Sequence, residues 1–314
     1  MRVSLRDSVF DVDTWWSVWP FWNYAVSGRH RVFVSDSTAP LYVQWRASTP
    51  LEARNAWDDT LNLCVTQEAI EPSHHAIEVA RRLDSAWSHV PEPQLTVEHA
   101  LDLLDRPYRV LVENGHGDRD FLFAVATQEQ RDFLREWAQR DWLEFEHGGG
   151  IGHLTKRVEE RRRPPHVTRT SALFDSDADR PGNPSANSTI ADGACGDLHH
   201  LMLRCRAIEN YLPIAALERW ARGSRPRELW VRAVRRLSVD QRRHFHFKRG
   251  LPASSAQLFA VVHAPDRALL MGGVKDIAEL FARNVRGSDY SLPQERADLQ
   301  EVRGFLDELV ARVR

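Results

Sequence analysis

Lysine is nearly missing from this chain: of its 42 basic residues, all but Lys156, Lys248 and Lys275 are arginine. The plain reading of that excess is a GC-rich genome, which favours arginine codons. It also singles out the three lysines, because an ammonium on a flexible stem does what a guanidinium cannot, including losing its proton when buried. Cysteine is scarce too. Cys64, Cys195 and Cys205 form no C-x-x-C pair, which argues against a structural zinc site and for a reducing, cytoplasmic setting. No apolar run approaches the length of about 18 residues that a membrane span needs. "MRVSLRDSVFDVDTWW" carries charges where a signal peptide requires an unbroken apolar stretch. The G-x-x-x-x-G-K-[ST] pattern of a P-loop ATPase is absent. The net charge of −2 shows no overall basic excess of the kind that announces a nucleic-acid partner.

A length of 314 residues, 42% of them hydrophobic, suits two domains or one elaborated domain. Residues 1–95 read as an α+β accessory unit. "HRVFVSD" and "PLYVQWRAS" alternate like strands around the turn "STAP". The stretch from Leu51 to about Val90, including "HHAIEVARRLDSAW", is spaced like helix. "VPEPQ" (90–94) reads as a linker, and Thr96 caps a short helix. Residues 96–215 change rhythm. Strands at "YRVLVENG" (108–115), "LEFEHGGGIG" (143–152) and "VTRTSALFDSDAD" alternate with helices at 120–142 and 153–163. That alternation implies an α/β fold, a parallel sheet with helices on both faces. Residues 180–197 read as a loop, and 216–314 as a mainly helical region completing the site.

In such sheets, functional groups collect at the carboxyl ends of the strands. Glu113, the glycine run Gly148–Gly150 and the aspartates Asp175, Asp177 and Asp179 all fall there. Three carboxylates within five residues repel one another unless solvent or a cation compensates them. Carboxylate oxygens are the ligands that magnesium or manganese prefers. A wet surface loop is the alternative.

Four stretches in order resemble the Toprim domain, specifically its OLD-like nuclease branch: "VLVENG", "EHGGGIGHL", "ALFDSDADRPG" and "RAIENYLP" (206–213). The resemblance implies a Toprim-like core and metal-dependent hydrolysis of phosphodiesters with one or two Mg2+ or Mn2+ ions. It assigns Glu113 as metal ligand or general acid/base, with Asp175 and Asp177 as ligands. Asp179 is either a third ligand or a partner of Arg180. Glu209 either binds a second metal or pairs with Arg206. The family has Glu-Gly where this chain has Glu113-Asn114-Gly115, so the next acidic position falls to Asp118 or Asp120, Asp118 being nearer the turn. Lys248 matches a downstream lysine of the OLD-like branch and would steady charge on a phosphate or leaving oxygen. DNA is the expected substrate, with structured RNA such as tRNA as an alternative. A separate partner ATPase, a homodimer and a role in bacterial anti-phage defence are further implications. A non-catalytic subunit binding nucleic acid or an ATPase is the competing class. Arg161, Arg162, Arg206, Arg242, Arg243 and Arg249 are the expected contacts to nucleic-acid phosphates.

Overall fold

The structure, a computed structural model, describes residues 1–81, 84–87, 92–164, 166–251 and 257–313. Its first sheet comprises β1 (Arg2–Leu5), β2 (Arg31–Val34), β3 (Ala76–Val79) and β4 (Gln94–Leu95), all parallel, in the order β2-β1-β3-β4. Around it run α1 (Trp19–Val26), α2 (Pro40–Ser48), α3 (Leu51–Ile70) and α4 (Val97–Asp105). The N-terminal unit is therefore α/β, not the expected α+β.

Two local readings are corrected with it. "PLYVQWRAS" is α2: Pro40 sits in its first turn, where a missing N–H costs nothing, and Tyr42 and Trp45 are buried three residues apart on one face. "HHAIEVARRLDSAW" contains β3, in which Ile77 and Val79 alternate inward with the period of two that a strand requires. Residues 82, 83 and 88–90 of that helical reading, and 90 and 91 of the linker, lie outside the described residues. Ala100, Leu103 and Leu104 of α4 join the first core, so this unit reaches beyond residue 95.

The second sheet comprises β5 (Tyr108–Val112), β6 (Leu143–His147), β7 (Thr170–Phe174) and β8 (His199–Met202), parallel throughout, in the order β6-β5-β7-β8. Between β5 and β6 lie α5 (Gly115–Val125) and α6 (Gln128–Gln139), where one helix was expected. Thr127 restarts the helix: its hydroxyl accepts from the Gln130 N–H at 3.2 Å, and the Gln130 side chain accepts from the Thr127 N–H at 2.9 Å. α7 (Ile151–Arg161) connects β6 to β7, and α8 (Ala186–Cys195) connects β7 to β8. The expected loop at 180–197 thus holds a helix. Ser185 caps it, and Ala191, Ala194 and Cys195 pack against Leu154 and Val158 of α7. Alternate strand residues serve opposite faces. Tyr108, Val110 and Val112 meet α5 and α6, whereas Leu111, Ala172 and Phe174 meet α7 and α8.

The remaining helices are α9 (Ile214–Ala221), α10 (Arg225–Arg236), α11 (Val239–His244), α12 (Ala264–Leu270), α13 (Leu280–Arg283) and α14 (Pro293–Val313). Val231, Phe245, Leu299 and Leu306 share one hydrophobic core with Val110 and Val112. Residues 216–314 are thus fused to the sheet. Among the described residues no helix is long and apolar enough to cross a membrane.

Candidate functional site

The order β6-β5-β7-β8 means that the chain leaves β5 toward one side of the sheet and comes back on the other. The connections after β5 and β7 therefore diverge, and a crevice opens at the carboxyl ends of those two strands. Glu113 follows β5 and Asp175 follows β7. Together with Asp118 and Lys248 they line a cleft of about 260 Å³, completed by Asn114, His147, Gly150 and Ile208.

Local backbone chemistry sets each group. The Asn114 N–H donates to Asp118 Oδ2 at 2.7 Å, so the extra residue between Glu113 and Gly115 is the one that fixes Asp118. Asp120 turns instead to Arg119, 3.4 Å away. On the facing loop, Asp175 Oδ1 accepts from the Ile208 N–H at 3.1 Å. The glycines bring the start of α7 against β5. The Gly148 N–H donates to the Val112 carbonyl at 2.6 Å, and a Cβ at Gly148 would lie 2.8 Å from that of Leu154. Gly150 has φ +88°, and its N–H reaches the Glu113 carbonyl at 3.3 Å.

The segment "IENY" ties the aspartate loop to the C-terminal helices. Ile208 holds Asp175, while Asn210 donates to the carbonyls of Arg242 at 2.7 Å and Phe245 at 2.9 Å. Tyr211 donates to Glu301. Glu209, buried, lies 2.8 Å from Lys248 Nζ. Its ion partner is therefore Lys248, not Arg206. The Lys248 backbone lies so close to Gly273 that a Cβ there would overlap its carbonyl.

The cluster is electrostatically strained. Burial, followed by the charge of Asp177, raises the Glu113 pKa, and Glu113 Oε2 is buried with no hydrogen-bond donor. Burial pushes Asp118 up to about 7, with the charges of Glu113 and Glu209 adding to it. Asp175 is raised well above the usual carboxylate range by burial and then by Asp118, Glu209 and Glu113. Lys248 counters all three. Burial pulls its own pKa down, but Glu209 and the other carboxylates outweigh that and carry it above the ordinary value.

Other expected site residues lie elsewhere. Asp177, in a left-handed conformation, faces Arg206 at 3.9 Å and touches the cleft only through its field on Glu113. Asp179 is exposed and accepts from the Asn183 amide at 2.7 Å, so its partner is neither Arg180 nor the cleft. Arg242 is corrected as a phosphate contact: its guanidinium is buried, 3.1 Å from the equally buried Glu295. Arg243 is committed to Asp298 at 2.6 Å, and Arg161 to Glu146 at 3.3 Å. Arg206 is mostly buried against Asp177 and the Ala178 carbonyl. Arg162 and Arg249 are exposed.

Sequence reasoning missed His147 and Gly273. His147 ends β6, and its Nδ1 accepts from the Gly115 N–H at 3.0 Å, which places the ring's proton on Nε2 when it is neutral. A histidine directly before a glycine run at a strand end was the available signal. For Gly273 the only signal was the pair "GG". Among the described residues, no three or more His, Cys, Asp and Glu side chains are gathered closely enough to enclose a metal ion. Comparisons with family models, curated proteins and solved structures return no match.

Proposed function

We propose that the cleft hydrolyses phosphodiester bonds of nucleic acid, DNA before RNA, with Mg2+ or Mn2+, in the manner of a Toprim-type OLD-like nuclease. One observation carries the reading: Glu113, Asp118 and Asp175, distant in sequence, line one switch-point cleft, and a buried Glu113 oxygen there lacks a donor. The donor set suits a hard cation, and magnesium is ordinarily held by one or two carboxylates together with water and substrate phosphate, without a full protein cage. Glu113 and Asp175 would hold it, and when bound it would supply neutralisation of the phosphate and a more acidic water.

The chain's own groups set the rest. Glu113 Oε2, buried at the cleft wall without a donor, belongs to a carboxyl whose pKa burial and Asp177 raise, which makes it a stronger base than an ordinary carboxylate. Lys248, anchored by Glu209 yet 45% exposed, can bring a positive charge to the leaving oxygen. Attack by a water oxygen on phosphorus forms one P–O bond as the ester P–O bond breaks. The water's proton passes to the Glu113 carboxylate, and the departing alkoxide oxygen carries its charge beside Lys248 until it takes a proton from solvent.

The test is incubation of plasmid DNA, a single-stranded oligodeoxynucleotide and tRNA with the full chain in Mn2+, Mg2+ or EDTA. Cleavage of either DNA that EDTA abolishes supports the reading. Cleavage of tRNA alone moves the activity to RNA, and cleavage of none of the three removes it.

The same cluster sets a pH dependence of stability. The folded Asp118 pKa, about 7, lies above its ordinary value of 3.8. The folded state therefore binds more protons than the unfolded state between those values, and stability falls as pH rises through that window. In EDTA, Asp118→Asn is expected to melt higher than the parent chain, by a margin that grows from pH 5 to pH 8. Melting curves at the two pH values check it. Added Mn2+ is expected to raise the parent's melting temperature more at pH 8 than at pH 5.

A further inference from the structure

A second depression adjoins the cleft. It measures about 1080 Å³, and Asn114 and His147 line both. It is bounded by α5, α6, the unpaired edge of β6 and the segment following α13. Half-buried Phe123 and Phe145 line it, together with exposed Arg119, Arg135 and Arg286.

The charge balance of this groove favours an anion. Its two acids are already neutralised, Asp120 by Arg119 at 3.4 Å and Glu144 by Arg109 at 3.0 Å. Arg131 spends its guanidinium on backbone, donating to the carbonyls of Phe123 at 2.8 Å and Ala126 at 3.1 Å. Among the described residues Arg135 makes no ion pair, and Arg286, whose backbone N–H donates to Asp289 at 2.7 Å, only adds its field to a carboxylate that Arg219 already holds at 2.5 Å. Two exposed guanidinium groups without ion pairs line the groove with the exposed parts of Phe123 and Phe145, which otherwise pack on each other, ring centroids 5.7 Å apart, and on the core. A strand with unpaired bases uses such a surface: cations for phosphates, and ring edges and faces for bases. A duplex keeps its base faces stacked inside and offers nothing to the phenylalanines.

We propose that this groove carries a single nucleic-acid strand to the cleft. The proposal rests on the phosphodiesterase reading above and names the form of its substrate. It also moves the strand's path away from all six arginines singled out in the sequence, onto the α5–α6 side of the sheet. An extended peptide pairing with the free edge of β6 is the competing occupant.

The test is fluorescence anisotropy of a labelled oligodeoxythymidylate with the full chain in EDTA, over a series of salt concentrations. The Arg135→Glu/Arg286→Glu double variant is expected to bind about 10-fold more weakly, or worse. Its log–log salt slope should flatten by about 1.4, because each single-strand phosphate contact contributes about 0.7. Phe145→Ala is expected to weaken binding about 10-fold. Arg235→Glu, whose parent residue pairs with Glu218 outside the groove, sets the background. Both charged sites are exposed, and Arg286→Gln with Arg135→Glu, which places no new carboxylate beside the buried Asp289, is the second variant whose melting temperature should hold, so that affinity reports on the groove. The proposal is overturned if the double variant matches the Arg235→Glu control, if duplex DNA competes as well as the single strand, or if a neutral extended peptide displaces the oligonucleotide. Glu113→Gln separates the two readings. Loss of Mn2+-dependent hydrolysis of bis(p-nitrophenyl) phosphate reports on the cleft, while oligonucleotide affinity in EDTA reports on the groove.

Discussion

Glu113→Gln is expected to lower the Mn2+-dependent cleavage rate by about 10^3-fold or more. The substitution keeps the side chain's length and shape and removes only the charge and basicity of its carboxylate. Burial and Asp177 already disfavour that charge, and Oε2 has no donor to satisfy it. The variant is therefore expected to melt at or above the parent's temperature, since the folded state no longer carries a strained carboxylate. Loss of activity together with unchanged or increased stability is the signature of a group kept for chemistry. Asp179→Asn supplies the contrast: Asp179 is exposed and bonded to Asn183, so the rate should stay within the scatter of the parent. A Glu113→Gln chain that still cleaves at the parental rate would remove the carboxylate cluster from the reaction.

The order of the second sheet's elements was legible because β5 and β7 are short, largely buried runs of the kind parallel sheets use, while β6 alternates Leu143 and Phe145 with glutamates as an edge strand does, and all three run into an acid or a glycine. The candidate acids were legible for the same reason. Strand ends are where such sheets place polar groups, and Glu113 and Asp175 follow the two strands that flank the switch point. What escaped the sequence is tertiary. The amphiphilic pattern of "PLYVQWRAS" satisfies both a period of two and a period near 3.6 over nine residues, and contacts of Tyr42 and Trp45 with Phe10 accompany the helical outcome. α8 hides because its buried residues are small, Ser188, Ala191, Ala194 and Cys195, and carry almost no periodic apolar signal. Asn114 read as an interruption of a Glu-Gly pair, but its N–H is the donor that holds Asp118. The arginines misled because charge in a sequence carries no information about which guanidinium is already spent on a buried acid.

Arg242 shows how large that difference is. Arg242→Ala is expected to destabilise the chain by about 3–5 kcal/mol, because it leaves the Glu295 carboxylate buried without its cation. At about 2–4 °C per kcal/mol for a chain longer than 150 residues, the melting temperature should fall by roughly 10 °C. Glu295 Oε1 also accepts from the Ile214 N–H at 2.9 Å, so the one carboxylate ties α14 to the first turn of α9 and to α11. Restoring the balance by removing both charges, as in Arg242→Met with Glu295→Leu, should recover most of the loss even though the cation is still absent, since an apolar pair of similar volume carries no desolvation cost. The Ile214 N–H then remains as the uncompensated residue of the exchange. A phosphate contact behaves in the opposite way. Its removal would leave the melting temperature alone, weaken oligonucleotide binding and flatten the salt dependence, and a second apolar substitution at Glu295 would not restore affinity. Thermal melts and anisotropy on the two variants separate the outcomes. A stable Arg242→Ala chain with a reduced salt slope would return this arginine to the nucleic-acid surface.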